Sequence, residues 1–201
     1  ATSVDALTFY DEPPLWPVKC DAVHVSVAFT YDKDKAQRLA DAWSNVAPVS
    51  IGGPGIGMRG EEFTPGMYLK HGYTITSRGC PNRCWFCSVW KRDGLTRELP
   101  IRDGWNVLDD NLLACSERHI RDVFAMLGRQ PQRTEFTGGL EAARLQDWHV
   151  REMVVLNPKS MFFAYDTPDD WEPLKVAAHR LRSAGFTRNQ LRAYVLIGGN
   201  G

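Results

Sequence analysis

Three of the five cysteines lie in one short segment, with the spacing Cys80-x-x-x-Cys84-x-x-Cys87. Thiolates are soft ligands that suit zinc or an iron–sulfur cluster, and the short spacers let one loop wrap around a metal group. Three thiolates can bind three irons of a [4Fe–4S] cluster and leave the fourth iron without a protein ligand. Because clusters used only for electron transfer usually have four cysteine ligands, three cysteines indicate an iron that is open to a substrate or cofactor.

Plainer interpretations of the same cysteines are also open. A structural zinc site is closed by four ligands, and His71 or Cys20 could supply the fourth in a non-enzymatic zinc or iron–sulfur module. The thiols could also be ordinary buried side chains. The spacing CxxxCxxC is less common than the paired CxxC of zinc ribbons, which favours the cluster.

The segment Cys80-Pro-Asn-Arg-Cys84-Trp-Phe-Cys87 resembles the CxxxCxΦC signature of radical S-adenosylmethionine enzymes, with Phe86 at the aromatic position. The resemblance implies that Cys80, Cys84 and Cys87 bind a [4Fe–4S] cluster whose open iron chelates S-adenosylmethionine. One electron would then cleave the sulfonium and produce a 5′-deoxyadenosyl radical, which abstracts hydrogen from an unknown substrate. An external one-electron donor, similar to flavodoxin or ferredoxin, is implied because the cluster must be re-reduced.

The composition is that of an ordinary globular protein of 201 residues, with 43% hydrophobic and 24% charged residues. The formal net charge is zero, so nothing global indicates nucleic acid or a membrane surface. No apolar run approaches the ~18 residues of a transmembrane helix, and the first residues do not resemble a secretory signal. The number of cysteines is odd, and three of the five lie in one loop. Both features favour metal binding in a reducing, cytoplasmic compartment over disulfides.

Residues 1–70 are expected to form a small Rossmann-like βαβ segment. Strands are predicted at residues 22–29 and 49–51, with an amphipathic helix between them and a turn at 52–57 that is rich in glycine. The turn does not fit the pattern GxGxxG, so a tight packing turn is favoured over a nucleotide site. The segment resembles a shortened cobalamin-binding domain, which leaves a cobalamin-dependent radical methyltransferase as an alternative. Asp21 and His24 do not fit the cobalt-ligating motif of that domain, so we do not expect cobalamin to bind.

Residues 71–201 are expected to form a partial (β/α) barrel, giving an α/β fold for the chain. Strands are predicted at 73–77, 106–113, 133–137, 160–164 and 193–197, and helices between the later strands. The family core usually has six strand–helix units, so this core is expected to be either truncated or unusually small. The exposed edge of the last strand would then be covered by missing chain or by a partner chain.

Function in parallel α/β folds collects where strands end. Asp109, Asp110 and Asn111 follow a predicted strand and could position a substrate, or could equally close a turn and cap a helix. Gly138, Gly139 and Glu141 follow the next strand and resemble the family's Gly-Gly-Glu motif, with one residue inserted before the acid. The resemblance implies that these three residues hold the methionine amino group.

The resemblance also implies contacts for the rest of S-adenosylmethionine. Tyr165 and Asp166 follow the fourth predicted strand and are candidates for contact with the ribose hydroxyls. Phe86 is expected to pack near the adenine. Ile197 and Gly198, at the end of the fifth predicted strand, resemble the strand whose backbone lines the adenine.

Overall fold

The computed structural model describes residues 7–57 and 69–197. The chain divides into two compact units, one over Ser3–Thr64 and the other over Pro65–Gly201 together with Ala1–Thr2. These are named the N-terminal unit and the C-terminal unit.

The N-terminal unit contains strand β1 (Val23–Ser26), helix α1 (Lys33–Trp43) and strand β2 (Val49–Gly52). The two strands pair in parallel, with Val23 opposite Val49. The apolar side chains of α1 recur at helical spacing, and Ala36, Ala40 and Trp43 are buried. The predicted strand–helix–strand order is therefore confirmed.

The elements of the C-terminal unit follow in chain order. They are β3 (Tyr73–Thr74), β4 (Ser77–Arg78), α2 (Val89–Arg92), β5 (Arg97–Glu98), β6 (Asn106–Val107), α3 (Glu117–Gly128), β7 (Glu135–Leu140), α4 (Asp147–Leu156), β8 (Ser160–Tyr165), α5 (Trp171–Ser183) and β9 (Leu191–Val195).

Five of these strands form one sheet in the order β3-β6-β7-β8-β9, and every pair in it is parallel. Each strand lies beside the one that precedes it in this series, which is the arrangement that strand–helix–strand connections produce. The expected α/β class is confirmed. Within residues 69–197 the sheet is open, with β3 and β9 at its edges.

Helices α3, α4 and α5 cover the sheet and form its core with it. Val123, Met153 and Leu181 are fully buried, one from each helix, and pack with Phe136 and Met161 of the sheet. Ser116 caps α3 by accepting a hydrogen bond from the backbone N–H of His119, as Ser, Thr and Asp side chains do at helix starts. Across residues 7–57 and 69–197, no helix has the length and apolar character needed to span a membrane.

Several predicted strand boundaries are wrong. The strand predicted at 106–113 ends at Val107, and Leu112–Ala114 is a 3-10 turn. The strand ends early because the side chains of Asp109 and Asp110 bond to the backbone of residues 76 and 79. The strand predicted at 73–77 breaks into β3 and β4. Gly138 and Gly139 lie inside β7 rather than after it, at an irregularity in its pairing with β8. Residue 197 lies beyond β9, which ends at Val195.

Candidate functional site

The three clustered cysteines lie on a loop whose base is closed by a short antiparallel pair. Strand β4 pairs with β5, so that Ser77 lies opposite Glu98, and residues 79–96 between them are here named the cysteine loop. At its start Gly79 has a φ of +87°, and a Cβ there would lie 2.3 Å from the Leu95 carbonyl oxygen. The backbone N–H of Cys80 donates to the carbonyl of Gly94 at 3.1 Å, so the loop is tied together just above its base.

The thiols of the cysteine loop are partly buried and near one another. The Cys87 N–H donates to the Cys84 carbonyl at 3.1 Å, and the Trp90 indole donates to the same carbonyl at 2.9 Å. Burial raises the pKa of Cys84, and the neighbouring Cys87 and Cys80 raise it further by charge repulsion. Three thiolates at this spacing repel one another, so a cationic metal group between them would stabilise the loop.

The donor set is one of soft thiol ligands, which suit zinc or an iron–sulfur cluster. All five cysteines are free, and three of them lie on one loop. Among residues 7–57 and 69–197, no group of three His, Cys, Asp or Glu side chains converges on the position of a single metal ion. In a [4Fe–4S] cluster each thiolate binds a different iron, so its ligands are spread more widely than those of one zinc.

Asp109 anchors the chain that leads into the cysteine loop. Its side chain is 1% exposed, and its Oδ1 accepts the Thr76 backbone N–H at 2.6 Å. Its Oδ2 accepts the hydroxyls of Thr76 at 2.6 Å and Ser77 at 2.7 Å. Burial raises the pKa of Asp109, and these hydrogen bonds oppose the shift. The carboxylate therefore joins the end of β6 to the start of β4.

Asp110 makes a second attachment one residue later. Its Oδ1 lies 3.2 Å from Arg78 Nη1, and its Oδ2 accepts the Gly79 backbone N–H at 2.9 Å. Burial raises the pKa of Asp110, while the charge of Arg78 opposes that shift. Asp109 and Asp110 thus hold the cysteine loop to the end of the neighbouring strand. The sequence predicts either substrate contact or turn closure for residues 109–111, and neither includes this role.

Asn111 connects the cysteine loop to the end of β7. Its amide Nδ2 lies 3.4 Å from Cys80 Sγ and 2.6 Å from Glu141 Oε2. Arg144 Nε also donates to Glu141 Oε2 at 2.6 Å. The Asn111 side chain is buried, and its Oδ1 has no hydrogen-bond partner among the described residues. Glu141, expected to hold the methionine amino group, is thus engaged by two protein donors.

The two glycines of β7 meet different surroundings. A Cβ on Gly138 would lie 2.3 Å from the Asp109 carbonyl oxygen, so only glycine lets β7 approach β6 this closely. Gly139 has a φ of +105°, and a Cβ on it would meet no atom within 4 Å. The space beside Gly139 therefore lies open near the end of the strand that leads to Glu141.

The other residues expected at the cofactor are placed to different degrees. Asp166 follows β8 and lies near enough to Cys84 for its charge to add to the rise in the pKa of that thiol. Tyr165 packs on Trp171 with ring centroids 5.9 Å apart. Phe86 contacts Trp85 edge to face at 5.4 Å. Ile197 is 89% exposed, and Gly198 lies outside the described residues.

Of the two residues considered as a fourth zinc ligand, one can be placed within the C-terminal unit. His71 precedes β3 and packs against Trp105, which precedes the neighbouring β6, so both lie at the amino end of the parallel strands. The other candidate, Cys20, belongs to the N-terminal unit. Cys115, a further free thiol of the C-terminal unit, is partly buried, and burial raises the pKa of its thiol to about 11.

Two functional features escaped the sequence interpretation. Strand β5 was not predicted, because residues 95–99 (Leu-Thr-Arg-Glu-Leu) lack the alternation of apolar and polar side chains that indicates a strand. The contact of Asn111 with Cys80 was not predicted either, because its only signal is a third polar residue after two aspartates. Comparison of the chain with protein-family models, curated proteins and solved structures returned no match.

Proposed function

We propose that this chain is a radical S-adenosylmethionine enzyme that binds a [4Fe–4S] cluster through Cys80, Cys84 and Cys87. The observation that carries the proposal is the placement of the three thiols on a loop held to the end of β6 by Asp109 and Asp110. The cysteine loop lies beside the carboxyl end of β6, where polar residues follow the strand. Catalytic and ligand-binding residues of parallel α/β sheets collect at the carboxyl ends of the strands.

The sheet supports the proposal in a second way. Five parallel strands follow one another in chain order, which is the winding of a (β/α) barrel or of part of one. A partial barrel of this kind would present the cysteine loop, Gly139 and Asp166 around one space. The pattern differs from doubly wound sheets, where the strand order reverses and the ligand binds at the reversal.

The residues would act as follows. The three cysteines would hold the cluster, and the open space beside Gly139 would let a ligand lie close to the backbone of β7. Asp166 would accept hydrogen bonds from hydroxyl groups of a bound ligand, because a carboxylate accepts such bonds and Asp166 lies near Cys84. When bound, such a cluster supplies the single electron that cleaves S-adenosylmethionine into methionine and a 5′-deoxyadenosyl radical. The electron comes from an external one-electron donor similar to flavodoxin or ferredoxin.

The test is electron paramagnetic resonance of the protein after anaerobic reconstitution with iron and sulfide and reduction with dithionite. We expect a [4Fe–4S]⁺ signal that changes when S-adenosylmethionine is added, because an open iron would bind the cofactor. Methionine and 5′-deoxyadenosine should then form at a slow rate without substrate. A protein that takes up one zinc per chain and gives no cluster signal would instead be a structural metal module.

A further inference from the structure

Three side chains link β7 to the first cysteine of the loop. Arg144 Nε donates to Glu141 Oε2, and Asn111 Nδ2 donates to the same oxygen, each at 2.6 Å. Asn111 Nδ2 also lies 3.4 Å from Cys80 Sγ. Asn111 is 4% exposed, so water does not compete strongly for its amide.

The direction of the Asn111 amide follows from these contacts. A carboxamide carries two N–H donors on one side and an acceptor oxygen on the other. The carboxylate of Glu141 can only accept hydrogen bonds, so the NH₂ group of Asn111 must point towards it. The second N–H of the same group is then directed towards Cys80. Rotating the amide would set its oxygen against both the carboxylate and the sulfur, which are negative when ionised. Glu141 thus orients Asn111.

An N–H group directed at a cysteine sulfur matters most when that sulfur carries charge. Hydrogen bonds to the sulfurs of an iron–sulfur centre are among the features that set its reduction potential. Reduction adds one negative charge to the centre and its thiolates, so a nearby N–H donor stabilises the reduced form more than the oxidised form. The potential rises as a result.

We propose, resting on the function proposed above, that Asn111 is a positioning residue that raises the reduction potential of a cluster held by Cys80, with Glu141 fixing its orientation. Glu141 then acts through Asn111, and this differs from the role in ligand binding that sequence similarity implies for it. The Arg144 guanidinium supports the arrangement by donating to the same carboxylate oxygen.

The experiment compares midpoint potentials of reconstituted variants in redox titrations followed by electron paramagnetic resonance. Asn111→Leu keeps the size of the side chain and removes both donors. We expect its potential to fall, because a hydrogen bond to a charged group is worth about a factor of ten in an equilibrium constant. A tenfold change corresponds to about 59 mV for a one-electron couple.

Asn106→Leu is the matched control. Asn106 is a buried asparagine of β6, five residues before Asn111, but it bonds to Thr137 and not to a cysteine. Both substitutions remove a buried amide and should lower thermal stability, whereas only Asn111→Leu should move the potential. Glu141→Ala should shift the potential in the same direction by a smaller amount, because Asn111 is retained but is free to rotate.

The outcomes separate this inference from the proposed function. If the unsubstituted protein forms no cluster, the proposed function fails. If it forms one and Asn111→Leu has the same potential as Asn106→Leu, the role of Asn111 is refuted while the function stands. If Asn111→Leu does not bind a cluster, the potential is measured in Asn111→Ser, whose smaller polar side chain is too short to reach the sulfur. If neither variant binds a cluster while Asn106→Leu does, the proposed effect of Asn111 on the potential is refuted, because Asn111 would then be needed to hold the loop itself.

Discussion

Each unit of the chain has glycines at the end of a parallel strand, and the atoms around them differ. In the N-terminal unit Gly53 has a φ of +120°, and a Cβ on it would lie 2.5 Å from the Val27 carbonyl oxygen. A Cβ on Gly55 would lie 2.7 Å from the Phe29 carbonyl oxygen. In the C-terminal unit, Gly138 is similarly enclosed by Asp109, whereas Gly139 faces open space.

Glycines near the end of a parallel strand can therefore have two separate explanations. The N-terminal turn is accounted for by close backbone packing, as the alternative favoured from its sequence proposed. In the C-terminal unit Gly138 allows close packing, and Gly139 leaves open space beside the strand. Gly139 lies at the irregularity in the pairing of β7 with β8, where a glycine readily adopts a positive φ.

The histidines extend this contrast. His24 of the N-terminal unit lies on an exposed strand, and its Nδ1 is 2.7 Å from Ser50 Oγ of the paired strand. Its environment is that of a histidine at the surface of a sheet. His149 of the C-terminal unit is 2% exposed, and its Nδ1 accepts the backbone N–H of Gln146 at the start of α4. Among the residues that the structure describes, the buried polar side chains all belong to the C-terminal unit.

The largest expected effect distinguishes the cysteines of the two units. Cys84→Ala should lose essentially all iron and sulfide binding after anaerobic reconstitution, because two thiolates cannot hold the cluster. Cys20→Ala, in the N-terminal unit, should bind as much iron and sulfide as the unsubstituted protein. Loss of metal in Cys20→Ala would mean that the site is closed by a fourth cysteine, and would contradict the open cluster.

A smaller effect concerns the attachment of the cysteine loop. Asp109→Ala removes the acceptor for three buried donors, and we expect the free energy of unfolding to fall by about 4 kcal/mol. Asp41→Ala, at an exposed carboxylate of α1 that accepts from Gln37, should change it by less than about 0.5 kcal/mol. Urea denaturation measures both. Equal effects of the two substitutions would show that Asp109 does not anchor the loop.

Alanine at the glycines tests the comparison directly. Gly138→Ala and Gly53→Ala should each lower the free energy of unfolding by about 3 kcal/mol, because the added methyl group meets fixed backbone. Gly139→Ala should lower it by only about 1–2 kcal/mol, from backbone strain at positive φ. The Gly139 variant should in addition weaken the response of the cluster signal to S-adenosylmethionine. If Gly139→Ala is as destabilising as Gly138→Ala, the space beside residue 139 is not open.

The last of these effects is a dependence of stability on pH. Burial lowers the pKa of His149 to about 4, from an ordinary value of 6.5. Between these values the unfolded imidazole binds a proton that the folded one does not, so protons favour unfolding. The contribution of His149 to stability is fully present above pH 6.5 and is lost as the pH is lowered through 4, by about 3 kcal/mol in total.

The control for this prediction is His24, the exposed histidine of the N-terminal unit. His149→Gln keeps an acceptor for the Gln146 N–H and should flatten the loss of stability between pH 7 and pH 4.5 in urea denaturation. His24→Gln should leave the pH profile as it is in the unsubstituted protein, because His24 is exposed. A profile unchanged by His149→Gln would assign the acid sensitivity to carboxyl groups instead.

The local parts of this protein could be inferred from its sequence. The spacing of Cys80, Cys84 and Cys87 places three thiols on one short loop, and in the structure these thiols lie near one another. The apolar period of α1 and the serine cap of α3 predicted these helices, because caps and periodicity depend on residues within a few positions of each other. The alternation of strands and helices likewise indicated an α/β fold with parallel strands.

Only the tertiary structure decided what the polar residues between these elements do. From the sequence, Asp109 could have closed a turn or contacted a ligand. In the structure it bonds to Thr76 and Ser77, which lie 33 and 32 positions earlier in the chain. Glu141 resembled a ligand-binding acid and is held by Asn111 and Arg144. Gly138 and Gly139 are neighbours in sequence, yet only one of them touches β6. Hydrogen bonds and close backbone contacts depend on distances of about 3 Å between distant segments, and no local pattern of residue types specifies these.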